Sequence, residues 1–416
     1  MHRSRLMIGV TAVLAAVATT TAGAAHADAP PKTTGPAGPA TSKTTGSAGP
    51  ATSPVRLVLP APTGPHRIGT VALHLVDGSR RDPWVPTVGK RELMVSLWYP
   101  ARKADHHPLA PWMPASAAES YLRDIGVPPG RLLLGTTHGR QGAPLDGRLG
   151  RLPVVLYSPG ANASRSYGTG VVEELASRGY LVVTIDHTYD AAVVEFPGGR
   201  VAKNPRGEIA DYAKAARVRA EDVRFVLNEL TALNAGRNPD AEARPLPSGL
   251  RGALDLKRIG MFGHSLGGAS TSSAMYADRR IKAGLGLDGA VIGPVAGAGL
   301  DRPYMVVDTP GKGGMSTNPA LRTFWSKLRG WRLNVTVKGA AHNSFGDDVQ
   351  LIPLAAPLVG LTTEEVTESV GAIPTARALA FQRAYPRAFF DLHLRGKRSP
   401  LLDGPTPRFP EVTYTR

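Results

Sequence analysis

The chain has 416 residues, 42% apolar and 20% charged, a globular composition with room for one large α/β domain or two ordinary ones. It holds no cysteine, which excludes disulfides, thiol nucleophiles, thiolate metal sites and a lipidated N-terminal cysteine, so the core alone must hold the fold. The net charge of +16 is spread without a dense basic run interleaved with aromatics, which argues against nucleic-acid binding and leaves transient contact with anionic lipid surfaces open.

Arg3 and Arg5 precede a mostly apolar run over 6–18, and Ala25-His26-Ala27 offers a small-x-small cleavage site. This pattern predicts a secretory signal peptide over 1–27, hence an extracellular protein. Its removal takes two arginines and leaves +16 − 2 = +14. No later stretch reaches the ~20 apolar residues of a membrane span. A linker over 28–54 follows, built on a duplication: Lys32 to Ser42 recurs as Lys43 to Ser53, differing only at Pro36 and Ser47. Pro, Gly, Thr and Ser cannot bury a core, so a tether is expected there.

A single folded domain is expected over 55–416. Short apolar runs at 68–76, 93–99, 153–157, 180–185, 258–262, 283–287, 303–307 and 333–337 are continuous rather than alternating, as in strands buried on both faces. Between them, 217–233 carries Val218, Val223, Val226, Leu227 and Leu230 at helical spacing. Thr362 and Glu365 form a capping box that opens another helix, and 375–394 is a long helical stretch that Pro386 should kink or split. Residues 102–150 are irregular and Pro/Gly-rich, and read as a loop excursion. The alternation predicts a mostly parallel sheet of about eight strands with helices on both faces.

Gly263-His264-Ser265-Leu266-Gly267 matches G-x-S-x-G, directly after the strand at 258–262 and before a helix-compatible Gly-Ala-Ser-Thr run. Strand, sharp turn and helix are what a nucleophile elbow requires: the turn projects the serine hydroxyl, and the helix's positive end favours the anion formed on attack. The fold is therefore expected to be the α/β-hydrolase type, with Ser265 as nucleophile. A serine hydroxyl needs an imidazole to take its proton, and in this fold the acid and base follow the serine. Only His342 and His393 lie beyond Ser265. His342 sits in a polar loop after the strand at 333–337 and is the expected base; His393, between Asp391 and Arg395, is expected at the surface. Asp288 and Asp308 each end a strand at the edge shared with the elbow, and either can orient the histidine.

With these residues in place the chain resembles the platelet-activating-factor acetylhydrolase-like lipases and esterases, in their secreted bacterial branch, over about 69–342. The likeness is carried by Arg91-Glu-Leu-Met-Val-Ser-Leu-Trp-Tyr-Pro100, Val154-Val-Leu-Tyr-Ser-Pro-Gly160, Leu175-Ala-Ser-Arg-Gly-Tyr180, the elbow, Gly286-Leu-Asp-Gly289 and His342-Asn-Ser-Phe-Gly-Asp347. The resemblance implies Asp288 rather than Asp308 as the acid, and the backbone amides of Ala161 and Leu266 as oxyanion donors. Ser158-Pro-Gly-Ala-Asn162 departs from the family's loop, lacking a histidine before the glycine and carrying Asn162 in place of a second glycine. The implied activity is hydrolysis of short-chain acyl esters, including acetyl or acyl groups of phospholipids, through an acyl-enzyme. No metal or cofactor is expected, since no clustered His/Asp/Glu ligand set appears in the sequence, and a monomer is expected. The Ser-Pro-Gly loop is also similar to that of cutinase-like polyester hydrolases, and a non-catalytic surface binding protein on the same scaffold is the rival of another class. His187 is expected as a hydrogen-bonded loop histidine bordering the pocket.

Overall fold

The computed structural model describes residues 53–311 and 314–415. The expected signal peptide and the expected linker up to Thr52 lie outside the described residues. Eleven strands form one sheet: β1 (Ile68–Arg81), β2 (Lys90–Pro100), β3 (Leu109–Pro111), β4 (Thr136–Gln141), β5 (Leu152–Ser158), β6 (Leu181–Asp186), β7 (Leu254–His264), β8 (Ile281–Leu287), β9 (Tyr304–Asp308), β10 (Arg332–Val337) and β11 (Val412–Thr415). Their order across the sheet is β11-β10-β9-β8-β7-β5-β6-β2-β1-β4-β3. The run from β10 to β6 is parallel throughout, while β2 is antiparallel to both β6 and β1.

Every residue of β5 and β6 is buried, which explains their unbroken apolar sequences. The pleat divides them between two cores. Val154 and Leu156 face a cluster with Val226 and Leu230 of α3 (Tyr212–Asn234), Met275 of α4 (Leu266–Ala277) and Phe324 of α5 (Pro319–Lys327). Val155 and Tyr157 face Leu175 of α2 (Thr169–Ser177) and Phe381, Phe389 and Phe390 of α8 (Thr375–Arg395). Each such fully buried side chain contributes roughly 1.5–3 kcal/mol, so the sheet is clamped from both sides.

The eight expected strands are all present, and β3, β4 and β11 are additions of three, six and four residues. The segment 102–150 is more ordered than a loop excursion. Its β4 pairs parallel with β1, β3 pairs with β4, and α1 (Ala115–Asp124) packs Ala117 beside Trp112, Leu351 and Ala355. Short edge strands tolerate proline, so their composition mimics a loop. The capping box opens α7 (Thr363–Val370): the Thr362 hydroxyl accepts from the Glu365 amide at 3.2 Å, and the Glu365 carboxylate accepts from the Thr362 amide at 2.7 Å. Pro386 does not split α8, which runs for 21 residues through it. Phe381, Tyr385, Phe389 and Phe390 are buried on both sides of the proline and hold the helix against the sheet despite the missing amide. No helix of the described residues is long and apolar enough to cross a membrane.

Candidate active site

Ser265 stands between β7 and α4 at φ 56°, ψ −122°, a region that costs a non-glycine residue about 1–3 kcal/mol and is held by its surroundings. Its amide donates to the Leu287 carbonyl at 2.9 Å, and the Gly268 amide donates to its carbonyl at 2.9 Å. The flanking glycines leave no room for a side chain. A Cβ at Gly263 would fall 2.2 Å from the backbone of Gly267, and one at Gly267 would fall 1.9 Å from the Ser158 carbonyl.

His342 opens a single helical turn, His342–Phe345, after β10. That turn is pinned from several directions. The Ser344 hydroxyl donates to the Val370 carbonyl at 2.6 Å, and the Gln382 amide nitrogen of α8 donates to the Ser344 carbonyl at 2.7 Å. His264 Nε2 donates to the His342 carbonyl at 2.7 Å, with the two rings 4.7 Å apart. Burial lowers the His264 imidazole to about 3, so it is a neutral donor here. Position x of the elbow gave no sequence signal of this role.

His342 Nδ1 lies 2.6 Å from Asp288 Oδ2. Asp288 follows β8 at φ 45°, and its other oxygen accepts from the Thr309 hydroxyl at 3.3 Å. Nδ1–H donation to the carboxylate leaves Nε2 as the proton acceptor. Asp308 is engaged elsewhere: it is buried, accepting from the Thr336 hydroxyl at 2.5 Å and the Met315 amide at 2.8 Å, and burial raises its carboxyl pKa.

Ser265, His342 and Ala161 line one cleft of about 500 Å³, whose mostly apolar walls include Tyr121, Tyr167 and Ile352. A Lys203–Asp124 ion pair of 2.9 Å stands at its rim. Asp348, at the start of α6 (Asp348–Val359), also lines the cleft, and desolvation raises its carboxyl pKa. Its neighbour Asp347 is fully buried and accepts from Trp112 Nε1 and from the first two amides of α2 at 2.8–3.1 Å, tying the 102–150 segment to the histidine loop.

Leu266 is the first residue of α4, where an amide has no intrahelical acceptor, and its side chain packs in a cluster that Ala161 adjoins. The departure at Asn162 has a conformational basis. Asn162 adopts φ 58°, which favours glycine but which asparagine tolerates, and its Nδ2 donates to the Gly207 carbonyl at 2.8 Å. His187 does not border the cleft. It is fully buried between Asp222 Oδ2 at 2.9 Å and the Ser158 hydroxyl at 3.0 Å, and burial lowers its pKa. Nor is His393 a surface residue: it packs edge-on against Trp331 at 4.5 Å and Phe389 at 4.8 Å, and burial lowers it to about 4.

Residues 52–358 match the family model described as platelet-activating factor acetylhydrolase, isoform II. A probable 1-alkyl-2-acetylglycerophosphocholine esterase of Arthroderma benhamiae is 29% identical over 394 residues, covering 87% of this chain and 94% of that protein. The platelet-activating factor acetylhydrolase of Cavia porcellus is 23% identical over about half of each chain, 47% and 49%. Among solved structures, a ferulic acid esterase from Streptomyces cinnamoneus superposes with a TM-score of 0.71 at 37% identity, covering 88% of this chain and all of that one.

Proposed function

Because the chain belongs to the platelet-activating factor acetylhydrolase isoform II family and is a carboxylic-ester hydrolase, we propose that it is a secreted serine esterase whose nucleophile, base and acid are Ser265, His342 and Asp288. His342 Nε2 takes the proton of Ser265 as the hydroxyl attacks an ester carbonyl. The amides of Ala161 and Leu266, with the N-terminal end of α4, stabilise the oxyanion. The alcohol leaves with the proton from His342, and water then hydrolyses the acyl-enzyme through the same imidazole. The observation that carries this reading is the 2.6 Å His342–Asp288 contact in the cleft that the strained Ser265 also lines.

The cleft's size and apolar walls suit a small acyl group, and the acetylglycerophosphocholine esterase relative points to a short acyl chain on a phospholipid. Esters of aromatic acids are a second reading, favoured by the 37% identity to the ferulic acid esterase and by Tyr121 and Tyr167 in the walls. Comparing hydrolysis of a 2-acetyl phospholipid, methyl ferulate and a soluble polyester oligomer ranks these alternatives. Ser265→Ala should lower kcat on a short-chain aryl ester on the order of 10³-fold or more, and unchanged turnover would overturn the nucleophile. Absence of fluorophosphonate labelling of the wild type would favour the binding-protein alternative. Export is tested by the N-terminus of protein recovered from culture medium, expected at Asp28.

A further inference from the structure

We infer that Arg219, which lies outside the cleft, is the positioning residue that aims the Ala161 amide at the oxyanion; this rests on the serine-esterase reading above. Arg219 belongs to α3 and is fully buried. An unpaired guanidinium there would be strongly unfavourable, and Asp190, also fully buried, compensates it, with Nε donating to Oδ2 at 2.7 Å. Nη2 also donates to Asp190 Oδ1 at 2.5 Å and Nη1 to the Ser158 hydroxyl at 3.4 Å, and both nitrogens reach the backbone. Nη1 donates to the Pro159 carbonyl and Nη2 to the Gly160 carbonyl at 3.0 Å. Two successive carbonyls of one loop are thus drawn to one planar fork.

A trans peptide is planar, with its C=O and N–H pointing in opposite directions. Holding the Gly160 carbonyl on Arg219 therefore turns the Ala161 N–H away from α3. Two features place this loop beside the nucleophile. A Cβ built on Gly160 would be 3.4 Å from the Ser265 Cβ, and Ala161 lines the cleft with Ser265. Among the described residues the Ala161 amide has no backbone acceptor, so it is available to a substrate oxygen. Lysine has no planar fork and cannot hold both carbonyls and Asp190 in this geometry.

The test compares wild type with Arg219→Lys, normalised to Ser265 titrated by a fluorophosphonate. The expected result on p-nitrophenyl acetate is a kcat about 10–100-fold lower with KM changed by less than about threefold. Affinity for a trifluoromethyl ketone, whose serine adduct carries the oxyanion, should fall by the same factor. A purely structural role would instead lower the melting temperature and the titrated fraction, leaving kcat and ketone affinity per titrated site unchanged, and that result overturns the inference. Should Arg219→Lys not fold, the pair Arg219→Met with Asp190→Asn removes both buried charges together, and the same two readouts decide. Wild type that fails to label sinks the esterase reading itself, a different outcome from a labelled variant with intact turnover.

Discussion

Two aspartates at equivalent strand ends differ in what they touch. Asp288 meets the His342 imidazole, whereas Asp308 is consumed by Thr336 and the Met315 amide. Converting the carboxylate that holds the imidazole to an amide inverts the tautomer it favours, at a cost near 10⁴-fold in a serine protease triad. Asp288→Asn is therefore expected to reduce kcat by about 10³–10⁴-fold, and Asp308→Asn by less than about tenfold. Steady-state kinetics on both variants checks the assignment; a severe loss confined to Asp308→Asn would reverse it. Residue type and strand position made both candidates legible. Strand ends, however, do not specify which way a side chain turns, and only the family resemblance separated them beforehand. His264 and Arg219 were not legible at all, since each acts on backbone carbonyls of residues 78 and 59–60 positions away.

At the scale of elements, the elbow shows why local sequence carries so much. Its glycines are required by backbone crossings within a few residues and at the adjacent strand end, so the motif and its geometry coincide. Gly263→Ala would push a methyl to 2.2 Å from Gly267 and should destabilise by several kcal/mol, in the overpacking range or beyond. Gly297, where a Cβ meets nothing within 4 Å, is the control: Gly297→Ala should be neutral or stabilising by about 0.5 kcal/mol. Soluble yield and thermal melts separate the two; a Gly263→Ala protein melting like wild type would show that the turn relaxes freely. The 102–150 segment and α8, where no split occurs at Pro386, are both more regular than their prolines suggest, for one reason. Proline weighs locally against strands and helices, but β1 supplies a partner for β4, and the aromatic face of α8 supplies the packing that carries the helix through Pro386.

The molecule as a whole is a sheet clamped between two helical layers, and its pH response reflects burial at that clamp. His393 lies where the end of α8 meets Trp331, and its Nε2 is buried without a hydrogen-bond partner among the described residues. Its folded pKa of about 4 lies below the ordinary 6.5. Below pH 6.5 the unfolded chain therefore gains a proton that the native state refuses, and stability is lost as pH falls toward 4. His393→Phe removes this contribution. Between pH 7 and pH 5 the variant should lose about 1 kcal/mol less than wild type, after allowance for the ring's partial exposure. Parallel denaturant titrations at the two pH values measure this, and equal losses would place the His393 pKa near its ordinary value.

The buried strands of the sheet, the helix at 217–233, the capping box and the elbow with its serine were all legible in the amino-acid order. Each is encoded by residues that are neighbours in the chain: continuous apolar runs, helical spacing, and glycines where backbones cross. Folding in three dimensions set the Asp288 carboxylate that the resemblance implied against His342, buried His187 and half-buried His393 away from the cleft, and closed Arg219 on the loop beside the serine. Those outcomes depend on which distant side chains meet when two faces of a sheet are covered, and a buried charge or imidazole takes the partner that the packing brings to it.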